Sequence, residues 1–208
     1  TRGVPLFIEE FIGFLNNLKI VEKRGDKCHL TGNVKETPVP LTIQDVIMSR
    51  VNSLPVSARE VLLAGAVAGR QFDYQLIARV TGLPDYELMS RLSILRYAGL
   101  LYERGTSSLS TYVFKHALIQ EACYRSLSLG DCRKYHERIA QVLEQHSPET
   151  ACEHPESLGH HFTEAGLLDQ ASPYWQKAAE VAVRRSANVE AVGHLKRALE
   201  LLSRIPEN

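Results

Sequence analysis

The sequence predicts a mainly α-helical protein: a winged helix with a small β-hairpin wing, followed by tetratricopeptide-like α-helical hairpins. Two observations support this fold class. Three amphipathic segments precede two short strand-forming segments, which is the element order of a winged helix. From residue 117 onward, apolar residues recur at the spacing of helices.

The composition is that of a globular chain without a dominant charge. The 208 residues are 44% hydrophobic, which is enough for one large or two small domains. The 24 basic and 24 acidic residues balance, so the chain lacks the positive charge that draws a domain to nucleic acid or anionic membranes. No apolar run approaches the roughly 18 residues that a bilayer-spanning helix needs, so we expect no membrane partner.

Cysteine usage favours a reducing, cytoplasmic location. The cysteines form no C-x-x-C pair and have no regular spacing, so we expect free thiols. They are Cys28, Cys123, Cys132 and Cys152. The apolar residues of segment 6–18 are interrupted by Glu9 and Glu10, which argues against a signal peptide.

Residues 1–40 are predicted to be a helix, a hairpin and a loop. Pro5 suits the first turn of a helix that runs to about Leu18. Segments 20–22 and 27–30 alternate around Gly25 and Asp26, which is a hairpin signal. Segment 31–40 is polar and Pro-rich, so it is expected to be a loop. Because the chain starts at Thr1 and a helix follows at once, we expect it to be part of a longer protein.

Residues 41–146 are predicted to be the winged-helix domain. Thr42 is a candidate cap for a helix over 43–54. Ser57 to Glu60 is close to a capping box and predicts a helix to Ala68, which Gly69 ends. Asp73 is a candidate cap for a helix to Thr81, which Gly82 ends, and Pro84 begins a longer helix to about Ala98. The core stripe of that last helix is Leu88, Leu92 and Leu95.

Strands and helices complete this predicted domain. Segments 100–104 and 111–115 are strand-like, and 105–110 joins them as the wing. Helices are expected over 117–127 and 131–146.

Residues 147–208 are predicted to begin an array of helical repeats. Segment 148–155 is expected to be a linker, and helices are expected over 155–165, 169–186 and 189–205. The sequence AVGHLKRALEL at 191–201 is similar to the second helix of a tetratricopeptide repeat. Small residues that allow close helix packing are Ala171, Ala178, Ala179, Ala182, Ala191 and Ala198.

One stretch, residues 112–122, joins a strand directly to a helix. His116 stands at the junction, close to the N-terminus of the helix, where free N–H groups suit an anionic ligand. His116 is therefore a candidate phosphate contact. The alternative is a hydrogen-bonded corner histidine that serves only the fold.

Five ordered motifs resemble the signalling ATPases of the STAND type, which are related to AAA+ proteins. The motifs are GVPLFIEE at 3–10, SAREVL at 57–62, AGLL at 98–101, FKHALIQEA at 114–122 and HHFTEAG at 160–166. The nearest likeness is to bacterial class III adenylate/guanylate cyclases or LuxR-type regulators that carry an ATPase module and tetratricopeptide repeats. The resemblance covers nearly the whole chain.

The resemblance implies a set of nucleotide-binding residues. In that family a Gly-x-Pro motif lies beside the bound adenine, which maps to Gly3 and Pro5, at the end of the ATPase lid in residues 1–40. A histidine in a Met-His-Asp motif lies near the phosphates, which maps to His116. Ala117 stands where the family has the aspartate, so the local hydrogen-bond network differs.

The resemblance also implies what this chain lacks. No G-x-x-x-x-G-K-[ST] phosphate loop is present, so ATP or ADP with magnesium would be bound by an upstream module of the parent protein. We expect no cofactor and no catalysis in this chain alone. Its partners would be the upstream ATPase and output domains and a protein held by the helical repeats. The implied function is a nucleotide-dependent switch and protein-interaction module, with a cyclase as the expected output.

A zinc site is suggested by four residues that lie close together in the sequence: Cys152, His154, His160 and His161. The first two lie in the predicted linker, and adjacent histidines point to different faces of a helix. We therefore predict no metal site.

The alternative function is a DNA-binding winged-helix regulator. The third helix, which would read the bases, carries charges that cancel: Asp85, Glu87, Arg91 and Arg96. The predicted wing has no Lys or Arg, although phosphate contacts supply much of DNA affinity. The sequence therefore favours a packing and switching role. The sequence contains no G-x-S-x-G elbow, so it gives no sign of hydrolase chemistry.

Overall fold

The computed structural model describes residues 12, 21–24, 27–30, 42–105, 110–146 and 148–204. These residues are mainly helical, with a small three-stranded antiparallel sheet and a separate two-stranded hairpin. The strands are β1 (Val21–Arg24), β2 (Lys27–Leu30), β3 (Gln71–Asp73), β4 (Leu101–Arg104) and β5 (Thr111–Phe114). The helices are α1 (Ile43–Asn52), α2 (Val56–Ala68), α3 (Tyr74–Thr81), α4 (Asp85–Tyr97), α5 (Ala117–Ser126), α6 (Leu129–His146), α7 (Pro148–Glu153), α8 (Pro155–Ala165), α9 (Leu168–Arg184) and α10 (Asn188–Arg204).

The predicted N-terminal hairpin is confirmed. Strands β1 and β2 pair antiparallel, with Val21 opposite Leu30 and Arg24 opposite Lys27. Gly3, Pro5, the loop over 31–40 and the predicted helix to Leu18, apart from the helical residue Ile12, lie outside the described residues.

The predicted cap of α1 is confirmed. The amide of Asp45 donates to Thr42 Oγ1 at 3.1 Å, and the amide of Thr42 donates to Asp45 Oδ2 at 3.1 Å. This reciprocal capping box fixes the start of the helix. The helix ends at Asn52, two residues before the predicted end.

Helix α2 is the centre of the first core, and its start differs from the prediction. The carbonyl oxygen of Pro55 accepts from the amides of Ala58 and Arg59, each at 3.0 Å, so the helix begins before Ser57. The capping box predicted from Ser57 to Glu60 is therefore wrong. Helix α2 packs against α3, α4, α5, α6 and β3. Its buried residues are Ala58, Val61, Leu62, Ala64, Gly65, Ala66 and Val67.

Strand β3 was not predicted from the sequence. Its three residues are too few to show the alternation of a strand. It pairs antiparallel with β5, which also pairs with β4, so the order of the sheet is β3-β5-β4. Asp73 ends this strand, and its carboxylate accepts from Thr111 Oγ1 at 2.7 Å rather than from an amide of α3. Asp73 is thus at the cap position of α3 without making the predicted side-chain cap.

The predicted core stripe of α4 is confirmed, because Leu88, Leu92 and Leu95 are all buried. Gly82 ends α3 in the left-handed conformation, as predicted, with φ of 66°. The strands β4 and β5 lie within the predicted segments, and residues 106–109 of the predicted wing lie outside the described residues.

The linker predicted over 148–155 is wrong, because 148–153 forms helix α7. Pro148 and Pro155 each stand at the first position of a helix, where the missing N–H of proline costs no hydrogen bond. The two prolines therefore mark two helix starts. Helices α8, α9 and α10 follow closely the predicted bounds. They surround a second core, formed with α6, whose buried residues are Ala140, Leu158, Phe162, Ala171, Trp175, Ala178, Ala198 and Leu201.

The expected free thiols are confirmed for Cys123, Cys132 and Cys152. Within the described part of the chain, no helix combines the length and the apolar character needed to cross a bilayer.

Replacing Gly65 by alanine is expected to destabilise the protein. A Cβ at Gly65 would lie 2.4 Å from Cε1 of Phe72, whose buried ring is stacked on Tyr112 and packed edge-on against Phe114. We expect Gly65→Ala to lower the free energy of unfolding by about 1–3 kcal/mol. Urea denaturation measures this change.

Gly193→Ala is the matched control, because a Cβ at Gly193 meets nothing within 4 Å. In a helix interior, alanine is favoured over glycine by up to about 1 kcal/mol, so Gly193→Ala should stabilise the protein. Equal effects of the two substitutions would contradict the packing described here.

Candidate functional site

The candidate site is the corner at which β5 becomes α5, and it contains the predicted residue His116. His116 is the N-cap of α5, with an extended backbone of φ −137° and ψ 141°, and its carbonyl oxygen accepts from the amide of Ile119 at 3.0 Å. Its ring makes no capping hydrogen bond to the helix. The side chain is half-buried, and its Nε2 atom is shielded from solvent.

Two further cations lie at this corner. The amide of Lys115 donates to the carbonyl oxygen of Leu100 at 2.9 Å, and Arg50 Nη2 donates to the carbonyl oxygen of Ala98 at 2.6 Å. The turn over residues 98–100 therefore holds the side chain of Arg50 close to the start of α5. Burial lowers the pKa of Arg50 from its usual 12.5, which leaves a guanidinium charged at neutral pH.

The corner is fixed to the first core from both sides. Helix α1, which carries Arg50, packs against α5. Gln120 Nε2, in the first turns of α5, donates to the carbonyl oxygen of Ala66 in α2 at 2.7 Å. These contacts attach the first turns of α5 to α1 and α2.

The corner is suited to an anionic ligand. The first turn of α5 carries no acidic residue, and its first amides face out of the helix. A helix N-terminus carries a partial positive charge, to which the cationic side chains of Lys115 and Arg50 add. The sequence identified His116 and the helix start, but not Arg50, because that residue is 66 positions away from His116 in the chain.

A buried hydrogen-bonded chain connects α5 with the C-terminal helices. The hydroxyl of Tyr124 in α5 lies 3.0 Å from Nε2 of His136 in α6. Nδ1 of His136 lies 2.8 Å from Nδ1 of His161 in α8. His136 is 1% exposed and His161 is 5% exposed. We call Tyr124, His136 and His161 the histidine relay.

The relay requires that at least one of its two histidines is neutral. A hydrogen bond between the two Nδ1 atoms needs an N–H donor on one ring and a free lone pair on the other. The two rings therefore cannot both be doubly protonated at the same time. Burial lowers the pKa of His136 to about 4, with a further effect of His160. Burial lowers the pKa of His161 to about 3, with further effects of His136 and His160.

The relay was not predicted from the sequence. The sequence singled out His161 as a possible zinc ligand and as part of the motif at 160–166, and neither Tyr124 nor His136 belongs to a motif that points to a partner. A polar residue at an otherwise apolar helix position is the one available signal, and it does not identify the partner.

The residues weighed for zinc are not brought together. Cys152 and His154 are exposed, and His154 Nδ1 lies 3.1 Å from Glu156 Oε1. His161 faces His136 instead. Among the described residues, no group of three or more His, Cys, Asp or Glu side chains is arranged to hold a metal ion.

The charged side chains of α4 form ion pairs and hydrogen bonds within the fold. Arg91 pairs with Glu87 at 2.7 Å, and Arg96 pairs with Glu103 of β4. Asp85 Oδ1 accepts from the hydroxyl of Tyr74 at 3.0 Å. The outward face of this helix instead exposes aromatic side chains, of which Tyr97 is 96% exposed.

Comparison with known proteins shows a similarity to a much longer protein. The chain is 30% identical over 209 residues to an uncharacterized protein of Rhizobium meliloti (strain 1021), and the match covers 99% of the chain. The chain spans about a fifth of the length of this curated relative, because the match covers 20% of it. No family model matches the chain.

The stability of the fold is expected to fall as the pH is lowered from 6.5 towards 4. In the unfolded chain the two relay histidines take up protons near pH 6.5, but in the folded protein only near pH 4 and 3. The stability that comes from neutral rings is therefore complete above pH 6.5 and is lost below it. Each ring contributes a slope of about 1.4 kcal/mol per pH unit in this window.

Urea denaturation between pH 5 and pH 7, where carboxylates contribute little, measures the slope. A double variant, His136→Phe with His161→Leu, removes both rings together and should show a flatter profile. His154→Gln, which changes an exposed histidine, should keep the original slope. A double variant with the slope of the unchanged protein would refute the assignment.

Proposed function

We propose that this chain is the regulatory portion of a multidomain STAND-type signalling ATPase, in which a winged helix and tetratricopeptide-like helices respond to bound nucleotide. The chain would adjoin an ATPase module that binds ATP or ADP with magnesium, and a cyclase is the output that the sequence motifs favour. The chain contributes a phosphate contact and a surface for a protein partner. The likeness over 99% of the chain to a relative about five times as long supports a multidomain setting.

The single observation that carries this proposal is the position of His116. It is the N-cap residue of α5 and follows Lys115 in the chain, and Arg50 donates to Ala98 in the turn whose residue Leu100 accepts from the amide of Lys115. A phosphate group suits each of these groups. Magnesium and the phosphate loop would be supplied by the upstream module.

The histidine relay supports a switching role. The ligand would lie at the first residue of α5, and Tyr124 lies two turns further along the same helix. A shift of α5 would therefore change the distance between Tyr124 and His136. Because His136 also contacts His161, a movement of His136 would change the position of α8. A rigid helix that touches both sites can transmit one state to the other when each state is discrete.

The element order supports the winged-helix assignment in the proposal. Helices α2, α3 and α4 precede the β4–β5 hairpin, and β3 joins this hairpin to the helices. DNA binding has less support, because both arginines of α4 are paired with carboxylates and Tyr97 stands exposed on its surface. An aromatic, uncharged surface suits protein contacts better than phosphates.

His116→Ala in the full-length protein is expected to weaken ADP binding. A charge-assisted hydrogen bond to phosphate contributes about 1.5–3 kcal/mol, which corresponds to a loss of affinity of roughly ten- to a hundredfold. Basal output should rise, because a contact made in one nucleotide state favours the resting conformation. Isothermal titration with ADP and a thermal melt of the same variant are the two measurements.

The exposed histidine at the end of α6 provides the control. His146→Ala should leave both ADP affinity and the melting temperature unchanged, since this side chain is exposed. If His116→Ala lowers the melting temperature and leaves ADP affinity unchanged, His116 is a corner residue of the fold and the nucleotide role is abandoned.

Tyr124→Phe tests the transmission step. The substitution removes the hydroxyl that contacts His136 and keeps the ring that packs against it edge-on at 5.8 Å. We expect ADP affinity to change by no more than about twofold. The response of the output to ADP should be partly lost, because the hydrogen bond that is removed contributes about 1 kcal/mol. An unchanged response to ADP would exclude the relay from the switch.

A further inference from the structure

A cleft at the start of the C-terminal helices carries three arginines. It lies between the beginning of α6, the end of α8, the beginning of α9 and α10, with a volume of about 480 Å³. Its charged lining consists of Arg133, Arg197, Arg204 and a single carboxylate, Glu164. We propose that this arginine cleft binds an acidic peptide segment of a partner protein.

The described lining of the cleft carries an excess of positive charge. The chain as a whole has zero net charge, yet this cleft contains three guanidinium groups for one carboxylate. Within the part of the chain that the structure describes, none of the three arginines forms an ion pair with Asp or Glu. Guanidinium groups with unused donors match carboxylates, which accept two parallel hydrogen bonds from one fork.

Two of the arginines are positioned by the fold. The guanidinium carbon of Arg197 lies 5.5 Å from the centre of the Trp175 ring. Trp175 is itself fixed, because its Nε1 donates to Thr163 Oγ1 at 3.0 Å. Arg133 lies against the turn after α8, where a Cβ on Gly166 would be 4.0 Å from its Nε. A prepositioned side chain loses less entropy when it binds a ligand.

The spacing on α10 suits an extended peptide. Arg197 and Arg204 are seven residues apart on one helix, which is a rise of about 10.5 Å. In a polyproline II segment, residues three apart lie on the same side and about 9 Å from each other. Two acidic residues in positions i and i+3 of such a segment can therefore each contact one of these arginines.

The remaining lining favours a peptide over a nucleotide. Leu129 is 70% exposed at the edge of the cleft, and Leu168 is half-buried in it, so an apolar side chain of the peptide has a place to pack. No aromatic side chain is among the described residues that line the cleft. The nearby ring of Trp175 is stacked on His194 at 5.4 Å and covered by Arg197, so it offers no open face to a base.

This inference rests on the interaction role proposed for the C-terminal helices and names the chemistry of the partner. It is independent of the α5 corner, whose residues do not line the cleft. Peptide binding should therefore be the same in the His116→Ala variant. A failure of peptide binding would leave the nucleotide role intact, and a failure of the nucleotide role would leave peptide binding intact.

The test is fluorescence anisotropy with the purified chain and a short fluorescein-labelled peptide that has glutamates three residues apart beside a leucine. The control peptide has glutamine in place of each glutamate. We expect binding of the acidic peptide only, weakened by added salt because exposed charges are screened. Equal binding of the two peptides, or no binding of either, would overturn the proposal.

Variants assign the binding to the cleft. Arg197→Gln and Arg204→Gln should each weaken the acidic peptide by about three- to tenfold, whereas Arg197→Lys, which keeps the charge, should weaken it less. Arg184→Gln is the matched control, because Arg184 is an exposed residue of α9 outside the cleft. An equal loss in Arg184→Gln would show nonspecific attraction and reject the site. Pyrophosphate and unlabelled acidic peptide are then compared as competitors of the labelled peptide. If pyrophosphate displaces it at the lower concentration, the cleft binds a phosphate ligand and the peptide proposal is rejected.

Discussion

The first core, which surrounds α2, depends on the close approach of the Phe72 ring to Gly65. Glycine in the middle of α2 leaves the space that the ring of Phe72 fills, and this holds β3 against the central helix. Because β3 pairs with β5, the same contact places the strand from which α5 begins. The corner at His116 is therefore set by packing some distance away from it.

Buried polar groups connect α5, which packs on the first core, with helices α6 and α8. The hydrogen bonds from Tyr124 to His136 and from His136 to His161 cross from α5 through α6 to α8. In a low-dielectric interior such bonds are strong when every member has a partner, and costly when one is lost. The pair of neutral histidines thus fixes the geometry of this junction more sharply than apolar contacts would, and it makes that geometry sensitive to acid.

The two proposed ligand sites lie on either side of this junction. The α5 corner has a helix N-terminus and cations that suit phosphate, and the arginine cleft has forks that suit carboxylates. Both are formed by residues from several helices: Arg50 comes from α1, and Arg133 and Arg197 come from α6 and α10. Each site therefore depends on how its own set of helices packs.

The sequence alone determined most of the local structure: the helix cap at Thr42, the leucine stripe of α4, the hairpin β1–β2 and His116 at a helix start. Each depends on residues a few positions apart, whose preferences are local. The tertiary structure decided what depends on distant partners. Strand β3 is too short to be recognised without β5, the prolines at 148 and 155 proved to start helices, and His136 and His161 acquire their pKa values only when buried together.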